Sequence, residues 1–436
     1  MRFKSYLKCF CLLTNGKKLL STASVENQFA CICGIRFHSI LSVVLGHTMQ
    51  AYSITARSNE EMEMYITSWI AQIVGNIFFV IDVFFVLSGF LNAYLVSQEY
   101  DRSNGNISWI NIYVYRFLRL TPANMMILGL QATLFSYTGS GPLWPTFDTD
   151  PRCKEYWWMN LLYINNFQSI YDQCLICNWY IAADMQLFIL SPLFIIPLIR
   201  KPSFGYILVV AFIFLSCFIT FALTIQYCLK VFGADMWYYF SHREEFVRWQ
   251  AEYFDLVYDK PYTRFSSYLV GIALGRYFYR TRVSKGRINK TILFWGWIVA
   301  TFLMYISFFA LYKREESLIE TALYNGSKDF LFSCSIAWIL FVCLVGEGGF
   351  VNRFLSCKLF LPLSRLSYCV YLIHVSVVYR YHFMVKELRD FSVLSLMQMC
   401  FLVIIWSYLI SFVATLLFEI PVAKLINHLT KLKKEE

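Results

Sequence analysis

The sequence contains little charge, because only 15% of its 436 residues are Asp, Glu, Lys or Arg. Soluble domains contain about 25% charged residues. With 58% hydrophobic residues there is too little polar surface to face water, which excludes a soluble fold. No basic stretch is interleaved with aromatic residues in a stripe, which excludes a nucleic-acid-binding surface of that kind. The sequence also lacks internal repeats and low-complexity tracts.

Metal-binding motifs are also missing. Most of the 14 cysteines lie inside apolar runs, where a thiol is usually a small core residue. The exceptions lie in one polar loop and are Cys153, Cys174 and Cys177. His38, His47 and His374 lack companion thiols or carboxylates at the spacing of metal ligands. We therefore expect no metal site.

The sequence does contain apolar segments long enough to cross a bilayer, which requires about 20 residues in a helix. The ten predicted spans cover residues 33–52, 68–96, 118–138, 179–199, 204–229, 264–283, 291–312, 328–348, 360–379 and 392–418. The predicted fold is therefore all-α, a polytopic membrane bundle of about ten helices.

Basic residues are concentrated on one side of this map. That side comprises a basic segment, residues 1–30, alternate loops and a basic tail, residues 421–436. The positive-inside rule places this side in the cytosol. The membrane that holds the protein is expected to be an endomembrane or the plasma membrane. Of three N-x-S/T sequons, only Asn325 falls on the opposite side, so we expect a glycan on Asn325 alone.

The densest basic run follows the sixth span. Its residues are Arg276, Arg280, Arg282, Lys285, Arg287 and Lys290. One interpretation is a topology anchor beside anionic lipid. The other is a dock for a phosphorylated cytosolic donor such as coenzyme A.

Ionisable residues at membrane depth are costly and often functional. Arg36 and His47 are eleven residues apart, close to three helical turns, so both lie on one helix face about 16 Å apart along the axis. A histidine is suited to general-base catalysis because its pKa is near neutral. The alternative is that Arg36 reaches the cytosolic interface and His47 is a packing residue.

Asp82 and Asp184 are two acidic residues within predicted spans. A buried aspartate needs a partner, which for Asp82 is either a catalytic histidine or a structural hydrogen bond or ion pair. Asp184 follows Trp179 and precedes Gln186 at a helix entrance, where the aromatic residue also suits an interfacial belt.

Trp179 and Gln186 are candidates for substrate binding, and so are four further residues. Arg116 and Arg119 stand at a cytosolic membrane edge, where they could clamp phosphate or act as anchors. Tyr371 and His374 are three residues apart, so both can point into the bundle.

Six strings, in order, resemble the acyltransferase 3 family of membrane acyltransferases. They are Gly34-Ile35-Arg36 with Leu45-Gly46-His47; Asp82 to Gly89; Arg116-Phe117-Leu118-Arg119-Leu120-Thr121-Pro122; Trp179 to Gln186, continuing to Ser191-Pro192-Leu193; Lys260-Pro261-Tyr262-Thr263-Arg264, leading into Tyr268-Leu269-Val270-Gly271; and Leu366-Ser367-Tyr368, leading to Tyr371-Leu372-Ile373-His374. The resemblance covers about residues 10 to 425 and is greatest to the invertebrate nose-resistant-to-fluoxetine group.

The resemblance implies a transmembrane acyltransferase domain, over residues 31–420, that moves an acyl group to a hydroxyl or amine. Arg36 and His47 match the family's arginine and histidine of the first helix. Asp184 matches an acidic position where many bacterial members carry Glu, which has a longer reach. By the same resemblance, we expect Cys153 to pair with Cys174.

On this interpretation, His47 is the general base and Arg36 binds donor phosphate or the developing oxyanion. Asp82 or Asp184 would orient His47. The expected co-substrate is acyl-CoA, with no bound cofactor, and the acceptor is a lipid, sugar or small molecule. The alternatives are a lipid or hydrophobic-drug transporter that uses the same polar residues, and a catalytically inactive scaffold.

The charge map predicts that both termini face the cytosol. Epitope tags at either end should bind antibody as soon as the plasma membrane alone is permeabilised, with the endomembranes left sealed. Binding to a tag on sealed cells, or protease removal of a tag from sealed lumen-out vesicles, would contradict this orientation.

Overall fold

A computed structural model describes residues 7–23, 29–57, 60–66, 68–230, 243–281, 288–312 and 317–435. Within these ranges the chain is almost wholly helical, which confirms the all-α fold class. Two short strands, β1 (Ala56–Arg57) and β2 (Arg389–Asp390), pair in parallel.

In chain order, the α-helices of the described ranges are α1 (Leu12–Leu20), α2 (Ala30–Thr55), α3 (Glu60–Ile66), α4 (Trp69–Gly75), α5 (Val80–Arg102), α6 (Trp109–Leu134), α7 (Pro151–Leu161), α8 (Trp179–Leu190), α9 (Pro192–Arg200), α10 (Pro202–Tyr227), α11 (Arg243–Tyr253), α12 (Pro261–Thr281), α13 (Lys290–Phe309), α14 (Leu318–Val345), α15 (Gly349–Leu355), α16 (Phe360–Arg365), α17 (Ser367–Phe383), α18 (Val393–Ala414) and α19 (Ile420–Glu435).

Seven helical segments of the described residues are long and apolar enough to cross a membrane. They are Ala30–Ser53, Trp69–Arg102, Ile176–Arg200, Pro202–Tyr227, Lys290–Phe309, Leu318–Val345 and Val393–Ile426. Each overlaps one of the ten predicted spans, so this is a multi-pass membrane protein.

The described residues of the other three predicted spans are helical, but these helices are more polar or shorter than the seven apolar segments. Helix α6 contains polar residues such as Asn124 and Gln131, and α12 contains three arginines. The ninth predicted span is divided between α16 and α17, and α17 has only 17 residues. Polarity and length therefore separate these helices from the seven apolar ones.

The chain packs as two compact units, each built from separate stretches of sequence. The first unit contains Met1–Arg57, Ser108–Leu161 and Leu355–Glu436, and the second contains Ser58–Ile107 and Leu162–Phe354. The predicted membrane domain, residues 31–420, includes parts of both units.

In the first unit, α2 packs against α16, α17 and α18. Two side-chain hydrogen bonds join α2 to α17, one from His47 to His374 and one from Thr55 to His382. Both partners advance by eight residues between the two bonds, so the helices run in the same direction. Strands β1 and β2 continue this pairing after each helix ends. A common direction is expected of the first and ninth predicted spans.

In the second unit, α5 and α12 lie close enough for their backbones to approach. A side chain at Gly271 would collide with the carbonyl oxygen of Val86, and one at Gly275 with that of Phe90. Gly89 of α5 faces the carbonyl of Tyr268 in the same way. Small residues four apart permit such close helix contacts within membranes.

The prediction of a glycan on Asn325 is wrong. Asn325 lies inside α14 and is only 1% exposed, so its amide nitrogen cannot reach a glycosylating enzyme. The sequence placed the start of this span at residue 328, whereas the helix begins at Leu318. Because of this error in the boundary, Asn325 was assigned to a loop although it is a buried residue of the helix.

The close contact between α5 and α12 predicts that Gly271→Leu will destabilise the protein by about 1–3 kcal/mol or more, because overpacking forces the helices apart. Gly129→Leu in α6 is the matched control, since nothing lies within 4 Å of a side chain there. Thermal unfolding in detergent measures both variants. Equal melting temperatures for the two variants would contradict the packing assigned to α5 and α12.

Candidate active site

Arg36 and His47 both lie on α2, as the sequence predicted. Each side chain is partly exposed. Close packing continues along the same helix, because a side chain at Gly34 would collide with the carbonyl of Leu355. These contacts fix the position of the helix that carries both residues.

The side chain of His47 is hydrogen-bonded to that of His374 on α17. Nδ1 of His47 lies 2.8 Å from Nε2 of His374, and the rings stack with centroids 5.0 Å apart and planes 20° apart. His374 is completely buried. Of the two imidazoles, only His47 can therefore meet a substrate.

The second ring nitrogen of His374 faces the backbone of its own helix. Nδ1 lies 2.7 Å from the carbonyl oxygen of Tyr371 and 3.1 Å from that of Val370. The ring of Tyr371 lies 5.8 Å from the ring of His374. His374 thus has hydrogen-bond partners on both ring nitrogens. His47 bonds to His374 through its Nδ1.

Helix α6, which carries Arg116 and Arg119, is tied to α17. The hydroxyl of Tyr368 donates to the carbonyl of Leu120 at 2.8 Å. Gln131 donates to the carbonyl of Leu372 at 3.1 Å and also to Ser376. Arg116 and Arg119 therefore lie within a long helix that is fixed to the helix of His374.

Glu419 is an acidic residue of the first unit that sequence analysis missed. It lies at the end of a short π-helix, Thr415–Glu419, and accepts a hydrogen bond from the Cys369 thiol at 3.3 Å. It also interacts electrostatically with Arg119. It directly follows the last predicted span, which ends at residue 418, so the search for ionisable residues within spans did not find it.

In the second unit, Asp82 belongs to a buried ion-pair network. Its Oδ2 lies 2.9 Å from Nη1 of Arg264, and its Oδ1 accepts from Ser267 at 2.8 Å. The same Nη1 lies 3.0 Å from Asp329. Asp82, Arg264 and Asp329 are at most 6% exposed. Asp82 therefore has the structural ion pair that the sequence left open, and its catalytic role stays a prediction.

Aromatic rings and a second cation complete this network. The guanidinium of Arg264 lies 4.7 Å from the ring centroid of Tyr258 and 5.8 Å from that of Trp179. Nζ of Lys328 donates to the hydroxyl of Tyr253 at 3.0 Å. A cavity of about 10 Å³ lies beside these groups, room for one water molecule. Two acids and two bases balance their charges within a small volume.

Helix α8 carries Trp179, Asp184 and Gln186, and the contacts of Gln186 are structural. Its amide nitrogen donates to the carbonyl of Tyr163 at 2.7 Å and to Asn166 Oδ1 at 2.8 Å. These bonds hold the preceding loop against the helix. Asp184 is buried, at 8% exposure.

The same loop is held by Asp259, which sequence analysis also missed. Its carboxylate lies 2.9 Å from Lys260 Nζ and accepts from Gln173 at 2.9 Å. Burial raises the pKa of Asp259 to about 6, although the Lys260 ammonium acts in the opposite direction. This carboxylate is therefore expected to gain a proton under mildly acidic conditions.

Cys153 and Cys174 are each disulfide-bonded in the structure, and each is 2% exposed. Their pairing with each other stays a prediction. Cys177 is a thiol. Within the basic run after the sixth span, Arg282, Lys285 and Arg287 lie outside the described residues.

The chain is similar to known proteins along almost its whole length. A family profile described as an acyltransferase domain, Acyl_transf_3, matches residues 29–423. The chain is 27% identical to nose resistant to fluoxetine protein 6 of Caenorhabditis elegans over 459 residues, covering 99% of this chain and 55% of that protein. It is 25% identical to regulator of hypoxia-inducible factor 1 of the same organism over 447 residues, covering 98% and 84%.

The chain thus spans about half the length of the first relative. No solved structure matches significantly. Nothing in these matches supports the transporter interpretation.

The ion-pair network predicts that Arg264→Leu will destabilise the protein by about 3–5 kcal/mol, because it leaves two buried carboxylates without their cation. Arg152→Leu is the control: Arg152 is 42% exposed in its pair with Asp150, and such pairs contribute about 0–1 kcal/mol. Thermal unfolding in detergent compares the two.

The double variant Arg264→Leu with Asp82→Asn should recover part of the lost stability, since one uncompensated charge is gone. An Arg264→Leu protein as stable as the Arg152→Leu protein would contradict the network.

Proposed function

Because the chain belongs to the acyltransferase 3 family, we propose that it is a membrane-embedded acyltransferase for groups other than amino-acyl groups. The observation that carries this proposal is the partly exposed His47, held by a fully buried partner within the matched region. A neutral imidazole in that position can accept a proton, which acyl transfer to a hydroxyl or amine requires.

His47 acts as the general base. It removes the proton from the acceptor O–H or N–H as that atom attacks the acyl carbonyl. The new bond joins the acceptor atom to the acyl carbon, and the carbon–sulfur bond of the thioester breaks. The proton held by His47 then passes to the departing thiolate, so charge and atoms balance.

The donor is acyl-CoA, bound as a co-substrate, and Arg36 binds its phosphate. A guanidinium forms two parallel hydrogen bonds to a phosphate and keeps its charge at membrane depth. Arg36 and His47 are separated by about 16 Å along α2 at 1.5 Å per residue. That distance is comparable to an extended pantetheine arm, so the thioester reaches His47 while the nucleotide stays near Arg36.

Arg116 and Arg119 are the further candidates for the donor phosphates. They lie on α6, which is fixed to the helix of His374. Arg119 also lies within electrostatic range of Glu419. We assign Tyr371 to the same region because it flanks His374.

The acceptor carries a hydroxyl or an amine and is a lipid, a sugar or a small molecule. A membrane-embedded base favours acceptors that partition into or beside the bilayer. The substrate-binding roles of Trp179 and Gln186 and the catalytic role of Asp184 stay predictions. In this proposal both termini face the cytosol, from which acyl-CoA arrives.

The experiment measures transfer of a labelled acyl group from acyl-CoA in membranes that contain the protein. His47→Ala should lower the rate by about 10²–10⁴-fold, because it removes the base, and leave donor binding largely intact. Arg36→Ala should mainly weaken donor binding, and Arg36→Lys should rescue it poorly because it lacks the guanidinium fork.

His38→Ala is the matched control on the same helix. Nδ1 of His38 bonds to the carbonyl of Gly34 at 2.8 Å and takes no part in the proposed chemistry. All variants must reach the membrane in comparable amounts. Acyl transfer at the wild-type rate by a folded His47→Ala protein would overturn the mechanism.

A further inference from the structure

We propose that His374 is a positioning residue that fixes the tautomer of His47 and thereby selects Nε2 of His47 as the atom that accepts the proton. This inference rests on the proposed function, because it names the reacting atom of the proposed base. It follows from the hydrogen-bond partners of the two imidazoles, taken one nitrogen at a time.

The first step concerns Nδ1 of His374. Its partners, at 2.7 and 3.1 Å, are the backbone carbonyl oxygens of Tyr371 and Val370. Carbonyl oxygens only accept hydrogen bonds, so Nδ1 must carry a hydrogen. A lone pair on this nitrogen would face two oxygen lone pairs in a site with no exposure to water.

The second step concerns the other nitrogen of His374. A neutral imidazole carries one N–H, so Nε2 of His374 holds a lone pair. The opposite assignment requires an imidazolium at His374, which is completely buried against the rings of His47 and Tyr371. An uncompensated charge there would be costly. Nε2 of His374 is therefore an acceptor.

The third step gives the tautomer of His47. Nδ1 of His47 lies 2.8 Å from that acceptor, so it must be the donor. A neutral His47 then has its lone pair on Nε2. Since His47 is partly exposed and His374 is not, this lone pair belongs to the ring that a substrate can reach.

The arrangement has a consequence for the transition state. When Nε2 of His47 takes the proton, Nδ1–H becomes a donor on a cation, and its bond to His374 strengthens. His374 thus stabilises the imidazolium as it forms, much as a carboxylate does in other catalytic groups. An uncharged partner does so without placing an anion inside the membrane.

A matched control is present on the same two helices. His382 of α17 is 2% exposed and its Nδ1 lies 2.9 Å from the hydroxyl of Thr55 on α2. This bond lies eight residues beyond the His47–His374 bond on both helices. His382→Phe therefore removes a similar interhelical bond without touching His47.

The test compares His374→Phe, His374→Gln and His382→Phe in acyl transfer per folded protein. His374→Phe has no acceptor and should lower kcat by about 10²-fold or more, with little change in the KM for acyl-CoA. His374→Gln keeps an amide oxygen that can accept from Nδ1–H of His47, so it should retain much of the rate. His382→Phe should keep wild-type kcat even if it loses stability.

The tautomer is read without substrate by ¹⁵N NMR of histidine-labelled wild-type protein in lipid, with His47 assigned by its loss in His47→Ala. We expect His47 protonated at Nδ1 in wild type and in His374→Gln. In His374→Phe we expect it at Nε2.

The two measurements separate the two claims. A His47 protonated at Nε2 in the wild type, or wild-type kcat in His374→Phe, overturns the positioning role. A correct tautomer in a protein that transfers no acyl group, with any donor and acceptor, overturns the proposed function and leaves the assignment of His47 standing.

Discussion

Polar groups inside a membrane bundle must be satisfied by other protein groups, because lipid offers neither donors nor acceptors. The two units meet this constraint differently. In the second unit, Arg264 lies between Asp82 and Asp329, and each charge has a partner of opposite sign. In the first, the imidazoles of His47 and His374 are hydrogen-bonded to each other, and in the proposed mechanism His47 keeps its other nitrogen for chemistry. The charged network is therefore suited to holding helices in place, and the imidazole pair is suited to accepting a proton.

Helix register makes both arrangements possible. In the first unit, bonds from His47 to His374 and from Thr55 to His382 repeat after eight residues on both helices, so a slip of one residue would break both. In the second unit, Gly271 lets two backbones approach closely, which brings Arg264 within hydrogen-bond distance of Asp82. Packing and polar pairing support each other, since a change in the spacing of the helices would break these hydrogen bonds. The site depends on small residues as much as on the reactive ones.

Much of the fold could be predicted from the sequence, because apolar length determines where a helix can cross a bilayer. The shared helix of Arg36 and His47 followed from helical periodicity. The partners of the polar residues could not be predicted, since the contact between His47 and His374 joins residues 327 positions apart. Errors at span boundaries concealed the rest: Arg264 and Lys328 each stood at the first position of a predicted span, whereas both lie within helices.

The central claim is that Nε2 of the partly exposed His47 is the reactive base, and chemical modification tests it most directly. Diethyl pyrocarbonate acylates unprotonated imidazole nitrogens, and mass spectrometry identifies which of the six histidines has reacted. We expect acyl transfer to fall in proportion to the modification of His47, and His374 to react far more slowly. Acyl-CoA should slow both the modification and the inactivation. Full acyl transfer by protein whose His47 is completely modified would contradict it.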